Sequence, residues 1–314
     1  MKQTLKFALL LFIFPFFSSV EAQENKKLNH IGEFSREGEY IKDYYVYKEG
    51  DTFHLFYNVG NASLITQEWT RPENEKAFGH ATSKDLNNWQ HHPRILQVVP
   101  KSWEGQVVSA PSILKYKGVY YMVYTGFDDR VFGKQTIGLA TSKDLYNWER
   151  YENNPINVAP DWVIKKPNGW VDFRDAHIIR YKNEFLMFTM ATTTKGEGAI
   201  ALSVSKDLKT WTDKGPALIT FNQPESPRVF KHKRTYYMFA SSSHGKVLYK
   251  TKKPTLNNWT QVTFDWPSGG IWSGWEVTEL KGKTIFSAFL WKKNGNFIRF
   301  WDIEWKGETP VVKY

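Results

Sequence analysis

Apolar and polar side chains alternate in five separate stretches of the chain: GDTFHLFY from residue 50, KGVYYMVY from 117, NEFLMFTM from 183, RTYYMFAS from 234 and KGKTIFSAFLW from 281. A period of two is the signature of a strand with one face against a core. A short polar turn precedes each stretch, so each reads as the second strand of a hairpin whose first strand lies just upstream. After the N-terminal apolar run, helical periodicity is absent over any window longer than about ten residues, which argues against a parallel α/β fold.

The same units share a closing phrase. HATSKDLNNW ends at Trp89, LATSKDLYNW at Trp148, LSVSKDLKTW at Trp211 and a looser KTKKPTLNNW at Trp259, spaced by 59, 63 and 48 residues. Units of about 50 to 60 residues with three or four strands are the size of a propeller blade, and a radial array of blades leaves no long open sheet edge. Five units predict an all-β, five-bladed β-propeller in a single domain. A β-sandwich gives no reason for the phrase to recur. The repeated Trp89, Trp148, Trp211 and Trp259 read as packing residues, and Asp85, Asp144 and Asp207 as turn-formers.

Composition sharpens this in three ways. Aromatic residues make up 17% of the 314 positions, which suits pleated strands and supplies rings that stack on sugars. The N-terminus, MKQTLKFALLLFIFPFFSSVEAQ, has Lys2 and Lys6 before an apolar run and a small-residue site ending at Ala22. It predicts a signal peptide over 1–22 and a propeller catalytic domain over 23–314, exported to the periplasm or medium with no membrane insertion. With no cysteine, neither a disulfide nor a cysteine-linked lipid anchor can form. The net charge of +10 is spread singly through turns and hairpin tips, with no run of five or more, and reads as a solvated basic surface. No phosphate loop, serine elbow or nucleic-acid recognition pattern is present.

Candidate chemistry sits where the repeat is broken by charge. Counting back from the second strand, Asp43 precedes Phe56 by 13, Ala110 precedes Val123 by 13, Asp175 precedes Phe188 by 13 and Glu225 precedes Phe239 by 14. Inner strands of a propeller converge on its channel, so this register predicts three carboxylates at one mouth. Such a set can protonate a leaving oxygen and attack a sugar or activate water, and closely held like charges keep a proton on one of them.

KDYYVYKEGDTFHLFY, GHATSKDLNNWQHHPRIL, FRDAHIIRYKNEFLMF and PESPRVFKHKRTYYMF resemble blades of the five-bladed propeller glycosidases of families 32, 43, 62 and 68, over about Ile41 to Trp305. FRDAHI is similar to the Arg-Asp-Pro element of family 32 and PESPRVF to its Glu-Cys-Pro element. The resemblance implies Asp43 as nucleophile or base, Asp175 as transition-state stabiliser, Glu225 as general acid or acid/base, and Arg174 paired with Asp175 and reaching substrate. Tyr40 to Tyr45 replace the Trp-Met-Asn-Asp-Pro-Asn run of family 32, Ala176 replaces its proline, and the length is closer to family 43. An oligo- or polysaccharide of fructan or arabinan type is the implied substrate.

Other residues complete the expectation. His177 shares a face with Asp175 and reads as a structural histidine, a partner of the acids or a ligand of a structural cation in the channel, though no cofactor is expected to be required. Trp103, Trp170, Trp272 and Trp275 lie in Gly-containing approaches to inner strands and are candidate sugar platforms, with Glu104 and Glu276 beside them as reserve contacts. Two alternatives stand beside hydrolysis: a carbohydrate-binding propeller without turnover and a phosphorolytic propeller enzyme. Oligomeric state is not legible.

Overall fold

A computed structural model describes residues 30–61, 74–220, 224–242, 245–264, 272–290 and 297–312. Among these every helix or strand is a strand. The chain enters through β1 (Gly32–Ser35) and then builds antiparallel meanders. Blade one is β2 (Glu39–Glu49), β3 (Thr52–Asn61), β4 (Phe78–Ser83) and β5 (Gln90–Ile95). Blade two is β6 (Val107–Tyr116), β7 (Val119–Phe127), β8 (Gln135–Ser142) and β9 (Glu149–Arg150). Blade three is β10 (Phe173–Tyr181), β11 (Glu184–Thr192), β12 (Gly198–Ser205) and β13 (Thr212–Thr220). Blade four is β14 (Glu225–His232), β15 (Thr235–Ser242), β16 (Gly245–Thr251) and β17 (Thr260–Val262). Blade five holds β18 (Trp272–Leu280), β19 (Lys283–Leu290) and β20 (Phe297–Lys306), with β21 (Thr309–Val312) on the far end of β20. The five-bladed propeller expected from the repeat is the fold.

The fifth blade takes its outer strand from the other end of the chain. β1 pairs with β20, Phe34 opposite Ile298, so residues near 32 and near 300 close one ring. Five apolar clusters fill the five interfaces between neighbouring blades, including the closing one where Phe34, Tyr44 and Leu55 meet Phe289 and Ile298. Burying each such side chain contributes about 1.5–3 kcal/mol, and the ring leaves no sheet edge unguarded at the seam.

The SKDL phrase is a turn with its hydrogen bonds built in. Ser83 Oγ accepts from the Leu86 amide at 2.9 Å, Asp85 Oδ1 accepts from the Asn88 amide at 2.7 Å, and the Trp89 indole donates to Leu86 O at 3.0 Å. Leu86 takes φ 66° within it. The pattern repeats at Ser142–Trp148 and Ser205–Trp211, and a fourth strand leaves immediately after the tryptophan in each case. Small polar side chains replace backbone partners here, which is why the phrase recurs.

The inner strands β2, β6, β10, β14 and β18 contact one another in turn and β18 closes onto β2. All run from one mouth of the channel to the other. The mouth where they begin carries the candidate acids. The hairpins joining first and second strands lie on the opposite, distal face.

Candidate active site

Every inner strand begins with the same defect. Pairing of first and second strands slips by one residue between Lys42 and Tyr45, Ser109 and Ser112, Arg174 and His177, Glu225 and Arg228, and Ser273 and Glu276. Within each bulge one residue is left-handed: Asp43 (φ 41°), Ala110 (50°), Asp175 (57°), Ser226 (49°) and Gly274 (61°). A left-handed non-glycine residue costs about 1–2 kcal/mol, and bulges re-aim side chains beside functional sites. Asp43 and Asp175 are therefore equivalent, as the spacing predicted. Glu225 is not: it stands one residue upstream, level with Lys42 and Arg174, and Ser226 holds the bulge. The 14-residue spacing in the fourth unit was the trace of that offset.

Bulge amides leave the ladder and must find other acceptors. The Ala110 amide donates to Asn58 Oδ1 at 3.1 Å, the Asp175 amide to Thr125 Oγ1 at 2.9 Å, and the Ser226 amide to Asp175 Oδ2 at 3.2 Å. Each acceptor belongs to the preceding blade. The bulges of blades two, three and four are thus each tied to the preceding blade, and Asp175 serves as one of the ties.

Asp43 sits among charges. Asn58 Nδ2 donates to Asp43 Oδ2 at 3.4 Å and to Glu75 Oε2 at 3.3 Å, Lys42 Nζ lies 3.7 Å from Asp43 Oδ2 and 2.8 Å from Glu75 Oε1, and the Tyr40 hydroxyl donates to Glu75 at 2.9 Å. Burial, together with Asp175, Glu75 and Glu225 as like charges, pushes the Asp43 carboxyl up to about 7 against the pull of Lys42.

Arg174 ties the other acids together. Its Nη2 donates to Glu225 Oε1 at 2.6 Å, its Nη1 to Asp172 Oδ1 at 2.9 Å, and its Nε lies 3.9 Å from Asp175 Oδ2. Burial opposes the guanidinium charge, and Asp175, Glu225 and Asp172 more than offset it, so its pKa is raised. Glu225 keeps about half of its side chain exposed, at 47%. Asp172 is buried and also accepts from the Trp170 indole at 2.6 Å and from Thr192 Oγ1 at 3.2 Å. Trp170 pairs with Phe132, 54% exposed, giving an aromatic wall linked to Arg174 through Asp172.

The chain matches "Glycosyl hydrolases family 32 N-terminal domain" over residues 43–226, more than half its length and from the first bulge acid to the fourth bulge. It belongs to glycosyl hydrolase family 32. Among curated relatives, it is 32% identical over 190 residues to a 1,2-beta-oligomannan phosphorylase of Thermoanaerobacter sp., covering 59% of this chain and 55% of that one. It is 30% identical over 175 residues to a probable sucrose-6-phosphate hydrolase of Psychromonas ingrahamii, covering 54% and 28%. The chain thus spans little more than half the length of one and under a third of the other. A family 32 beta-fructofuranosidase of Bombyx mori superposes with TM-score 0.71 at 20% identity, over 92% of this chain and 66% of that one.

Within this family 32 fold several sequence candidates fall elsewhere. Trp275 is 1% exposed and stacked on Phe286 in the interface between blades four and five, with no face left for a sugar. Trp103 packs its ring against Gly126 and Gly138 of blade two and against Tyr124, as part of that blade's packing. Trp272 opens β18, and its side chain lies outside the described residues. His177 is buried one layer below Asp175, its Nδ1 3.2 Å from Ser112 Oγ and its Nε2 2.8 Å from Val229 O. Burial, and then the charge of Arg228, lowers its pKa to about 3, so it is a neutral structural histidine with both ring nitrogens engaged rather than a substrate contact. A guanidinium stands beside it where a channel cation was considered, and no cluster of three ligating side chains occurs among the described residues. The reserve acids are paired inside the protein, Glu104 with Arg150 and Tyr124, and Glu276 with Arg228.

Sequence reasoning missed Asp172, Phe132, Glu75 and Asn58. For Asp172 a signal existed: Trp170, Asp172 and Arg174 alternate, so the three point to one side.

Proposed function

We propose that this protein is an exported glycosidase that cleaves a furanoside-type linkage in an oligo- or polysaccharide. Asp43 attacks the anomeric carbon or activates water, Glu225 protonates the leaving oxygen, and Asp175 steadies positive charge developing on the sugar. The observation that carries this is the pair of bulges that aim Asp43 and Asp175 at one mouth while Arg174 holds Glu225 there. Arg174 is positioned to orient Glu225 and Asp175 as well as to meet substrate hydroxyls. The Trp170–Phe132 wall offers the stacking surface. Removal of residues 1–22 leaves β1 with its lead-in, so export is compatible with closure of the ring.

One observation favours a second reading, phosphorolysis. Lys42 replaces the asparagine of the family motif and, with Arg174, places two cations beside the acids, and the chain resembles a phosphorylase of 1,2-beta-oligomannan. Phosphate would then replace water as the attacking group.

The decisive assay follows release of reducing sugar and of sugar phosphate from fructans, arabinans, xylans and β-1,2-mannooligosaccharides, with and without phosphate. Hydrolysis independent of phosphate, falling by about 10²–10⁴-fold in both Asp43→Asn and Glu225→Gln with folding kept, supports the first reading. Strict dependence on phosphate supports the second. Turnover untouched by either substitution sinks the acid assignment.

A further inference from the structure

The hairpins that join the first and second strands carry KEGD at 48–51, KYK at 115–117, RYKNE at 180–184, KHKR at 231–234 and ELKGK at 279–283. Along the chain these are scattered charges. In the fold all five surround the distal mouth of the channel, because all five inner strands run the same way. The five hairpins hold ten lysines and arginines and four carboxylates, a net +6 in a chain of net +10. Among the described residues only two of the ten are in ion pairs, Lys115 with Glu49 at 2.6 Å and Lys283 with Asp302 at 3.2 Å. Lys115, Lys117, Arg180, Lys182 and Lys231 stand over tyrosine rings at 4.7 to 5.5 Å from the ring centres, which limits where the cations can sit.

Two joined recesses open on this face. One of about 380 Å³ runs past Arg180, Lys182, Lys231 and Tyr236 between blades three and four. The other, about 350 Å³, continues past Lys115 and Arg180 into the channel as far as Arg228. Arg228 is 3% exposed and ion-paired with Glu276, which lines the same recess, while its Nη1 has no hydrogen-bond partner among the described residues. A buried N–H left unpaired is costly, so this end of the recess favours an oxygen acceptor, while the preference for negative charge comes from the hairpins above it.

We propose that the distal face docks an anionic polysaccharide, a chain bearing carboxylate or sulfate groups that lies along the furrow between blades three and four. The charge selects a polyanion. The furrow selects a chain over a flat bilayer, and among the described residues none of the large exposed apolar side chains belongs to the five hairpins, so the rim of this mouth carries no apolar anchor for lipid. Docking there would hold the protein on a polymer with the acid-lined mouth turned outward, and it does not depend on which reaction that mouth performs.

The test is equilibrium binding of the purified protein to polygalacturonate and dextran sulfate in about 0.15 M salt, with neutral inulin and phosphatidylglycerol vesicles in parallel. Lys117→Glu/Lys182→Glu/Lys281→Glu reverses charge on the distal face. Lys101→Glu/Lys165→Glu/Lys195→Glu makes the same change in net charge in loops on the acid-lined side, and all six positions are exposed. Binding to at least one polyanion that is at least tenfold weaker in the distal variant, and little changed in the control, is expected when both melt like the parent protein. Equal losses in the two variants, equal affinity for inulin, tighter binding to vesicles than to either polyanion, or no binding by the parent protein would each overturn the proposal.

Discussion

At the scale of single residues, the site is governed by where burial leaves a proton. The Asp43 carboxyl is pushed up to about 7 by burial and by its acidic neighbours, whereas in an unfolded chain it titrates near 4. The native state therefore holds a proton that the unfolded chain releases, so this contribution to stability is full below pH about 4 and is lost as pH rises through about 7. Asp43→Asn removes the titration, and its melting temperature relative to the parent should improve between pH 4.5 and pH 8. Activity should run the other way. An attacking or base carboxylate must be ionised, so kcat/KM should rise with pH through about 7 in the proposed reaction. Lys42→Gln removes the cation that opposes the shift and should move the rising limb to higher pH; a limb that stays in place would show that Lys42 does not set the charge. Asp43, Arg174, Asp175 and Glu225 were legible in the sequence because a charge beside an apolar strand is an anomaly that burial would penalise. Glu75 and Asn58 were not, since each acquires meaning only from the strand across from it.

At the scale of the element, the bulge matters more than any one acid. In blades two, three and four the left-handed residue is tolerated because the preceding blade supplies an acceptor for its displaced amide, and Thr125 Oγ1 is the acceptor that holds Asp175. Thr125 is fully buried, so Thr125→Val keeps the shape and leaves the Asp175 amide without a partner. The expected cost is about 1–3 kcal/mol in denaturant unfolding, with a fall in turnover because Asp175 is no longer held. Thr125→Ser should recover most of both. Wild-type stability in the valine variant would mean that the amide finds another acceptor. Strand periodicity and turn chemistry were readable from sequence, but a bulge is a mismatch between two strands and has no local pattern. It shows in the sequence only as 13 residues in three units and 14 in the fourth, a one-residue difference whose meaning, Glu225 standing beside the bulge rather than in it, needs the paired strand.

At the scale of the whole molecule, the repeat revealed the propeller, while its closure came from a segment with no repeat in it. β1 is four residues long, GEFS, and its partner lies some 260 positions away, so neither periodicity nor spacing marks it. Its hold on the ring is concentrated in Phe34, buried against Tyr57 at 5.1 Å and Trp89 at 5.3 Å between ring centres, with Glu33 paired to Arg299 at 2.8 Å. Phe34→Ala should cost about 3–5 kcal/mol, the range for a buried phenylalanine. Glu33→Gln, at a partly exposed pair, should cost less than about 1 kcal/mol. Because the site draws Asp43 from blade one and Glu225 from blade four, opening the seam between blades five and one should loosen the acid cluster as well as the fold. Hydrogen exchange should then rise in β1, β2 and β20 before it rises in blade three. If exchange rises evenly through all five blades, the ring opens as one unit and the seam is no weaker than the other four interfaces.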